Sequence, residues 1–399
     1  MAPGSRGDNW RVEHGTERLR ILLSGMIAGI PGQGGATWAV LQYALGFKQM
    51  GHEVLFVEQC DAETVMPAGI PLDRSESASY FHKVVSEFGL EDSAALLVGG
   101  ERETIGLPYE RLVEMGRDAD LLVNIAGTLT DETLFENVPV RVYLDLDPAF
   151  SQLWATEGID MHFEGHTRFV TVGQAIGAPE CDVPTCGREW LSTVPPVVLS
   201  HWPRGEHVAH DDLTTVGNWR AYGSIEHGGV HYGQKAHSLR QFISLPKQTE
   251  ANLLLALSIH PDEKKDIEAL GENGWGVVDA ATVVETPQTY AEFIRGSMAE
   301  LGVAKSGYVV SRCGWFSDRS VCYLASGRPV IAQETGFSRF LPTGEGLFAF
   351  ETGEDALGPI DDVLGDYKRN SDTARSLAEE YFDSDKVLSN LLENVGRGS

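Results

Sequence analysis

Short apolar runs alternate with amphipathic stretches through the first half of the chain. Val40, Leu41, Ala44, Leu45 and Phe47 fall on or near one face of a helix that follows a glycine-rich loop. Apolar runs this continuous are typical of strands buried on both faces, as in a parallel sheet. The pattern predicts a β-loop-α-β opening, a helix over 80–88, and strands over 19–24, 53–57, 121–125, 140–144 and 169–172.

Prolines and tryptophans interrupt this pattern between 181 and 212, and the same order of elements then resumes. We predict helices over 235–243, over 290–299 and from 317, with strands over 213–216, 253–256, 276–279, 308–310 and 330–332. An apolar stripe at helical spacing begins at 374. The resulting division is a flexible leader at 1–18, a first α/β domain at 19–194, a linker at 195–211, a second α/β domain at 212–370 and terminal helices at 371–399.

The composition is that of a folded soluble protein, with 399 residues of which 42% are hydrophobic and 22% charged. No apolar run reaches the ~18 residues that span a bilayer, and the first residues lack an apolar signal core, so a cytoplasmic location is expected. The five cysteines are odd in number and scattered, which predicts no disulfide framework. Cys181 and Cys186 lack the further ligands of a zinc site, so no metal is expected.

The formal net charge of −27 bears on the choice of partner. Nucleic-acid backbones and anionic membrane surfaces both require clustered lysine and arginine, so we expect neither as a partner. A nucleotide can still bind in a local basic pocket. The expected partners are therefore small molecules, with the chain acting as a monomer or homodimer.

The sequence Ser317-Asp318-Arg319-Ser320 opens a helix, which Gly327 ends. The free N–H groups and the positive dipole end of such a helix favour phosphate, and Arg319 adds a bidentate donor. Ser317 and Asp318 are also ordinary capping residues, and capping can coexist with ligand binding. We predict an anion site at these four residues.

Three motifs in this region carry a family resemblance: GWFSDRS at 314–320, YLASGRPV at 323–330 and LPTGEGLFAF at 341–350. In this order they resemble the donor-binding domain of bacterial GT-B glycosyltransferases, and the resemblance covers about 19–392. It implies two Rossmann-like, doubly wound α/β domains facing a cleft, with the C-terminal helices bridging back. It also implies transfer of a sugar from a nucleoside-diphosphate sugar, without a cofactor, and we expect a small soluble acceptor, such as a specialised metabolite. Because no Asp-x-Asp pair stands in the donor-binding domain, we expect the transfer to need no metal.

The resemblance also implies where the donor binds. Gly217 and Asn218, with Lys235 in the following helix, match the small and basic residues that such enzymes place at the diphosphate. Lys235 fits a solvated surface lysine equally well. Gly34 and Gly35 match the first loop, which lets the backbone approach the diphosphate across the cleft.

The first loop also supports a different class of enzyme. Residues 32–37 read GQGGAT, close to G-x-G-x-x-G, and Glu58 lies 24 residues after Gly34, where a dinucleotide fold holds its ribose carboxylate. Thr37 stands where the third glycine should be. An NAD- or FAD-dependent oxidoreductase is therefore the alternative, and a GT-B-fold sugar-nucleotide epimerase is a further one.

The chain departs from the largest retaining GT-B family, which carries E-x7-E across this region. Gly314 and Cys322 occupy those two places. The usual carboxylate contact to the sugar hydroxyls is therefore absent or supplied elsewhere, and Glu334, Thr335 and Gly336 are the candidate substitutes.

The catalytic base is the least determined group. An inverting transferase needs a carboxylate or histidine to take the acceptor proton. Asp145 and His162 are the candidates chosen here. Asp145 and Asp147 have the spacing of a metal-binding pair but lie in the first domain, so we interpret them as cleft residues and not as metal ligands.

Overall fold

The computed structural model of the protein describes residues 18–205 and 207–396. Apart from Arg18, the predicted leader lies outside the described residues. So do Glu206, within the predicted linker, and residues 397–399 of the predicted terminal segment.

Within the described residues, the first half forms an eight-stranded sheet in the order β4-β3-β2-β1-β5-β6-β7-β8. Strand β1 is central: Ile21 pairs in parallel with Val54 of β2 on one side and with Leu121 of β5 on the other. Only β4, at the edge, runs antiparallel to its neighbour. The strands are β1 Arg20–Ser24, β2 Glu53–Cys60, β3 Ala94–Val98, β4 Thr104–Gly106, β5 Leu121–Ile125, β6 Val140–Asp145, β7 Arg168–Thr171 and β8 Trp190–Ser192.

The described part of the second half forms a parallel sheet of six strands in the order β13-β12-β9-β14-β15-β16, with a separate β10-β11 hairpin. Two such sheets confirm the predicted fold class of two Rossmann-like domains. The strands are β9 Asp212–Asn218, β10 Ile225–His227, β11 Val230–Tyr232, β12 Asn252–Ser258, β13 Gly276–Asp279, β14 Ala299–Gly302, β15 Val330–Gln333 and β16 Leu347–Phe350.

Helices cover both sheets, as doubly wound folds require. They are α1 Gly34–Gln49, α2 Glu76–Glu87, α3 Tyr109–Arg117, α4 Phe150–Thr156, α5 Lys235–Leu239, α6 Lys264–Glu272, α7 Ala280–Val283, α8 Pro287–Gly296, α9 Ser306–Ser311, α10 Asp318–Ala325, α11 Gly353–Gly365, α12 Tyr367–Leu377 and α13 Ser384–Gly396. A π-helical segment, Ala378–Phe382, connects α12 to α13. Short 3₁₀ turns lie at Leu72–Arg74, Glu91–Ser93, Glu132–Leu134, Arg240–Phe242, Leu245–Gln248 and Phe337–Arg339.

The last helix returns to the first half of the chain, as predicted. Helix α13 packs against α1 so closely that a Cβ at Gly46 would lie 2.5 Å from Leu388 Cδ1. The backbone of Val197 pairs with this region as well, donating to Phe382 O at 2.7 Å and accepting from Ser384 N at 2.9 Å. The two halves also meet where Ala175 N donates to Cys313 O at 2.9 Å.

One strand predicted from the sequence is wrong, and a neighbouring strand was missed. Residues 308–310 were predicted as a strand but belong to helix α9, whose Tyr308 packs edge-on against Phe150 of the first half at 5.5 Å. The strand is instead β14, where a helix was predicted to end. Its sequence AELG contains Glu300, which is fully buried. Because strands were predicted from runs of apolar residues, a strand with a charged residue was missed.

Among the helices described, none combines the length and the apolar character needed to cross a bilayer.

Candidate functional site

A cleft lies where the carboxyl ends of the two sheets meet, and it holds a cavity of about 500 Å³. This edge is where ligands bind in doubly wound folds. The first half contributes the residues between Pro31 and Ala36. The second half contributes the ends of β9 and β12, helices α7 and α8, and Lys305, Asp318 and Arg319; the lining includes Val216, Gly217, Asn218, Ser258, Ala280, Ala281, Val284 and Tyr290.

Two helices point their N-termini at this cavity. Helix α10 begins at Asp318 after Ser317, which takes the capping position without a capping hydrogen bond from its side chain. Helix α1 begins at Gly34 on the opposite wall. Each N-terminus carries the positive end of the helix dipole, so both favour an anion between them.

Gly34 and Gly35 line the cleft, but their contacts differ from those expected. Gly34 N donates to Val284 O of the second half at 3.1 Å, and a Cβ on Gly34 would collide with Thr286 O. A Cβ on Gly35 would lie 2.8 Å from the Tyr290 ring. In this structure the two glycines allow the halves to approach each other.

Glu58 holds the glycine-rich loop in place by accepting hydrogen bonds from its backbone. Its carboxylate is 1% exposed and accepts from Ala28 N at 2.8 Å and from Gly29 N at 2.6 Å. A dinucleotide-binding fold needs this carboxylate free for a ribose. Both oxygens of Glu58 instead accept hydrogen bonds from the loop. The spacing of Glu58 from Gly34, which favoured an oxidoreductase, is therefore explained by this contact with the loop.

Burial raises the pKa of Glu58 to about 7, against backbone hydrogen bonds that lower it. The folded state therefore holds this proton more tightly than the unfolded chain does. We expect the resulting stabilisation to be present below pH ~4.5 and lost as the pH rises through ~7, by roughly 3 kcal/mol. Thermal unfolding between pH 5 and 8 should show Glu58→Gln gaining on the wild type as the pH rises. Glu63→Gln, at an exposed position, is the control, and a pH-independent difference for Glu58→Gln would contradict the assignment.

Arg319 lies in the cleft wall, but its guanidinium is largely engaged by the protein. Nε donates to Glu300 Oε1 at 2.5 Å and Nη1 donates to Val216 O at 2.9 Å. The side chain is 13% exposed and Glu300 is fully buried. The expectation of an arginine dedicated to phosphate is corrected: Nη2 alone has no hydrogen-bond partner among the described residues.

Lys235 does not line the cleft. It is buried, and its Nζ donates to Val303 O at 2.7 Å. It lies behind Gly217, where a Cβ would come within 2.8 Å of Lys235 Cε. Burial lowers the pKa of Lys235 well below its usual value, and the positive charge of Arg319 lowers it further. In this structure Gly217 separates Lys235 from the cleft.

The ammonium in the cleft belongs to Lys305, which the sequence analysis missed. Its Nζ lies 3.0 Å from Asp147 Oδ1 of the first half and 3.9 Å from the centroid of the Tyr222 ring. Tyr222 and Tyr308 donate their hydroxyls to the same carboxylate. Lys305 follows a strand that was not predicted, so no local pattern pointed to it.

Asp145, a candidate for the catalytic base, has both carboxylate oxygens engaged by donors of the protein. It is fully buried and accepts from Ser151 Oγ at 2.7 Å, and from Gln152 Nε2 and Thr171 Oγ1 at 2.8 Å each. Burial raises its pKa. Asp147 N also donates to it at 3.0 Å, so Asp145 fixes the turn that presents Asp147.

His162 is half exposed, and its Nδ1 lies 3.7 Å from Asp160 Oδ2. Its backbone φ is +54°, and it packs beside Gly127 at the end of β5. It therefore sits at the carboxyl edge of the first sheet, outside the residues that line the 500 Å³ cavity.

The predicted substitute carboxylate is also held internally. Glu334 Oε1 accepts from Gly336 N at 2.5 Å, and Thr335 donates its hydroxyl to Trp315 O. Gly336 has a φ of +95°, and a Cβ there would lie 2.6 Å from Arg312 O. These three residues do not line the cleft. Ser317 and Ser320 face a separate cavity of about 10 Å³.

A second cavity of about 580 Å³ continues the cleft beyond Ser258, along the ends of β12 and β13. Trp219 and Asp279 are among its lining residues. Trp275 is a packing residue: it is 5% exposed and its Nε1 donates to Ile243 O at 2.9 Å. The described residues contain no group of three or more histidine, cysteine or acidic side chains able to hold a metal ion.

Solved structures match this fold over nearly the whole chain. An alpha-glucosyltransferase in complex with UDP-glucose and DNA containing an abasic site superposes with a TM-score of 0.62 at 14% identity, covering 96% of this chain and 100% of that one. Anabaena HepE in complex with UDP-glucose gives 0.59 at 13%, covering 95% and 99%. A glycosyltransferase from Rickettsia africae ESF-5 gives 0.53 at 13%, covering 96% and 100%.

Neither the protein-family models nor the curated proteins compared with this sequence gave a match. At these identities the structural likeness establishes the fold, and it agrees with the GT-B architecture implied by the sequence motifs.

One sequence-based exclusion is wrong. Net charge led us to expect no nucleic-acid partner, yet the alpha-glucosyltransferase of the same fold is found in complex with DNA. Overall charge describes the whole surface, whereas an acceptor meets only the local field of the cleft, so −27 does not exclude such a partner.

Proposed function

We propose that this protein is a glycosyltransferase that uses a nucleoside-diphosphate sugar as its donor. The observation that carries the proposal is the convergence of two helix N-termini and the Lys305 ammonium on one cavity of about 500 Å³. Such an arrangement suits a diphosphate, the most highly charged part of this donor. The motifs at 314–350 and the UDP-glucose complexes of proteins with this fold support the same conclusion.

In the proposed reaction, the oxygen of an acceptor hydroxyl bonds to the anomeric carbon while the bond from that carbon to the diphosphate breaks, and the hydroxyl proton passes to the leaving diphosphate or to a base on the first half. Negative charge then grows on the leaving diphosphate. Lys305, the Nη2 group of Arg319 and the N-terminal dipole end of α10 lie around this position, and groups aimed at developing negative charge lower the barrier. These cationic groups are the basis for proposing that transfer needs no added metal ion.

We propose that the base of the donor lies towards the second cavity, beyond Ser258. The acceptor then approaches from the first half, where Asp147 and His162 lie at the carboxyl edge of the sheet. A small or mid-sized soluble molecule, such as a specialised metabolite, is the proposed acceptor.

Thermal shift measurements with UDP, GDP, TDP and NAD test the donor class. A nucleoside diphosphate should raise the melting temperature in the presence of EDTA, because a ligand that binds the folded state stabilises it. Stabilisation by NAD alone would overturn the proposal in favour of an oxidoreductase.

Turnover is tested by incubating the stabilising nucleotide, as its sugar conjugate, with panels of small-molecule acceptors and with duplex DNA. Formation of a glycosylated product in either panel supports transfer and identifies the acceptor class. Release of free sugar or nucleotide without any acceptor would favour an epimerase instead.

A further inference from the structure

We infer that Asp318 receives hydrogen bonds from hydroxyl groups of the bound donor and thereby replaces the carboxylate missing at positions 314 and 322. This rests on the proposed function. Asp318 lines the 500 Å³ cavity, whereas Glu334 does not. It is the first residue of α10 and lies one helical turn before Cys322, so the two side chains share a face of the helix.

The other carboxylates around the cleft already have partners. Asp145 accepts from Ser151, Gln152 and Thr171, and Asp147 and Glu300 accept from Lys305 and Arg319. For Asp318, no other side chain among the described residues donates a hydrogen bond. Burial raises the pKa of its carboxyl group, while the positive charge of Arg319 and the backbone N–H groups of Asp318 and Arg319 lower it. A carboxylate removed from water needs hydrogen-bond donors. Because no side chain among the described residues donates to Asp318, that position is open to a donor group of the ligand.

The surroundings of Asp318 locate it at the junction of both halves. Burial raises the pKa of Tyr43, on α1, and the charge of Asp318 raises it further. The same charge contributes to raising the pKa of Tyr290, on α8, where burial again dominates. Asp318 thus lies between α1, α8 and α10, at the floor of the cleft.

The chemistry of the ligand follows from the charge of this group. A carboxylate repels phosphate but accepts strong hydrogen bonds from neutral O–H groups. A nucleoside-diphosphate sugar offers such donors in two places, the ribose and the transferred sugar. Both present adjacent hydroxyls, which a single carboxylate can accept together.

The test compares ratios of affinity, because removing Asp318 also removes its repulsion of the phosphates. Binding of UDP and 2′-deoxy-UDP reports on the ribose, and binding of UDP-glucose and its deoxy-sugar analogues reports on the sugar. The wild type should prefer the hydroxylated ligand of one pair by about ten- to hundredfold, the value of one or two hydrogen bonds to a charged group. If UDP is not the nucleotide bound, the same pairs are made with the one that is.

In Asp318→Ala this preference should fall to near unity for one of the two ligand pairs. The pair that is affected shows whether the hydroxyls belong to the ribose or to the transferred sugar. Asp318→Asn should retain part of the preference. Asp361→Ala, at an exposed position on α11, should leave both ratios unchanged. A purely structural Asp318 would shift the melting temperature and leave the ratios intact, which would overturn the inference alone. Failure of the wild type to bind any nucleoside diphosphate would overturn the proposed function, and this inference with it.

Discussion

Replacing Arg319 with alanine should lower the free energy of unfolding by about 3–5 kcal/mol. The physical reason is the carboxylate left behind. Glu300 is fully buried, its Oε1 accepts from Arg319 Nε at 2.5 Å, and its Oε2 has no partner among the described residues. Removing the arginine leaves an uncompensated buried charge and deprives Val216 O of its donor. Urea unfolding measures the loss, and Arg111→Ala, in an exposed pair with Glu114, should cost no more than about 1 kcal/mol.

A double variant separates the structural role of Arg319 from its role in the cleft. Arg319→Met combined with Glu300→Gln removes both charges, and buried ion pairs replaced in this way are often neutral in stability. We expect most of the lost stability to return. If Nη2 contacts the diphosphate, the affinity for a nucleoside diphosphate should stay low in the double variant. A stable Arg319→Ala single variant would contradict the ion-pair assignment.

Replacing Lys305 with alanine should reduce kcat/KM by about two orders of magnitude, the usual scale for losing one charge-stabilising donor. Lys305 lines the cavity, and in the proposed reaction its charge lies where negative charge grows on the leaving group. Steady-state kinetics with the sugar nucleotide, and the melting-temperature shift on adding the nucleoside diphosphate, measure the effect. Lys305→Arg should recover activity only in part, because a planar fork replaces a point charge.

The control for Lys305 is Lys265→Ala, an exposed lysine on α6 of the same half. It should change neither kinetics nor stability. Since Lys305 also pairs with Asp147, Asp147→Asn reports separately on the loss of that contact. Full activity in Lys305→Ala would refute its assignment to the leaving group, whatever happens to stability.

The sequence predicted those parts of the site that depend on neighbours along the chain. Helix α10 begins after Ser317 because a capping residue precedes it and Gly327 follows its end, and both signals are local. Asp318 and Arg319 were placed in the cleft for the same reason, since both belong to the helix start, whereas Gly217 and Asn218 were placed there by the family resemblance.

The partners of these residues could not be predicted, because they are distant in sequence. Arg319 is held by Glu300 on a neighbouring strand, and the polar appearance of that strand concealed it. From the sequence, Asp145 was interpreted as a cleft carboxylate, but in the fold it accepts hydrogen bonds from Gln152 and Thr171. Whether a charged group faces solvent, ligand or protein is decided by tertiary contacts that periodicity does not contain.

The ion pair of Asp147 and Lys305 joins the two halves across the cleft, and this has a consequence for turnover. A diphosphate beside Lys305 competes with Asp147 for the same ammonium. The free nucleoside diphosphate carries more negative charge than its sugar conjugate, so the competition is strongest once transfer is complete. We therefore expect the spent donor to weaken a contact that holds the halves together, which couples completion of the reaction to opening of the cleft and escape of the product.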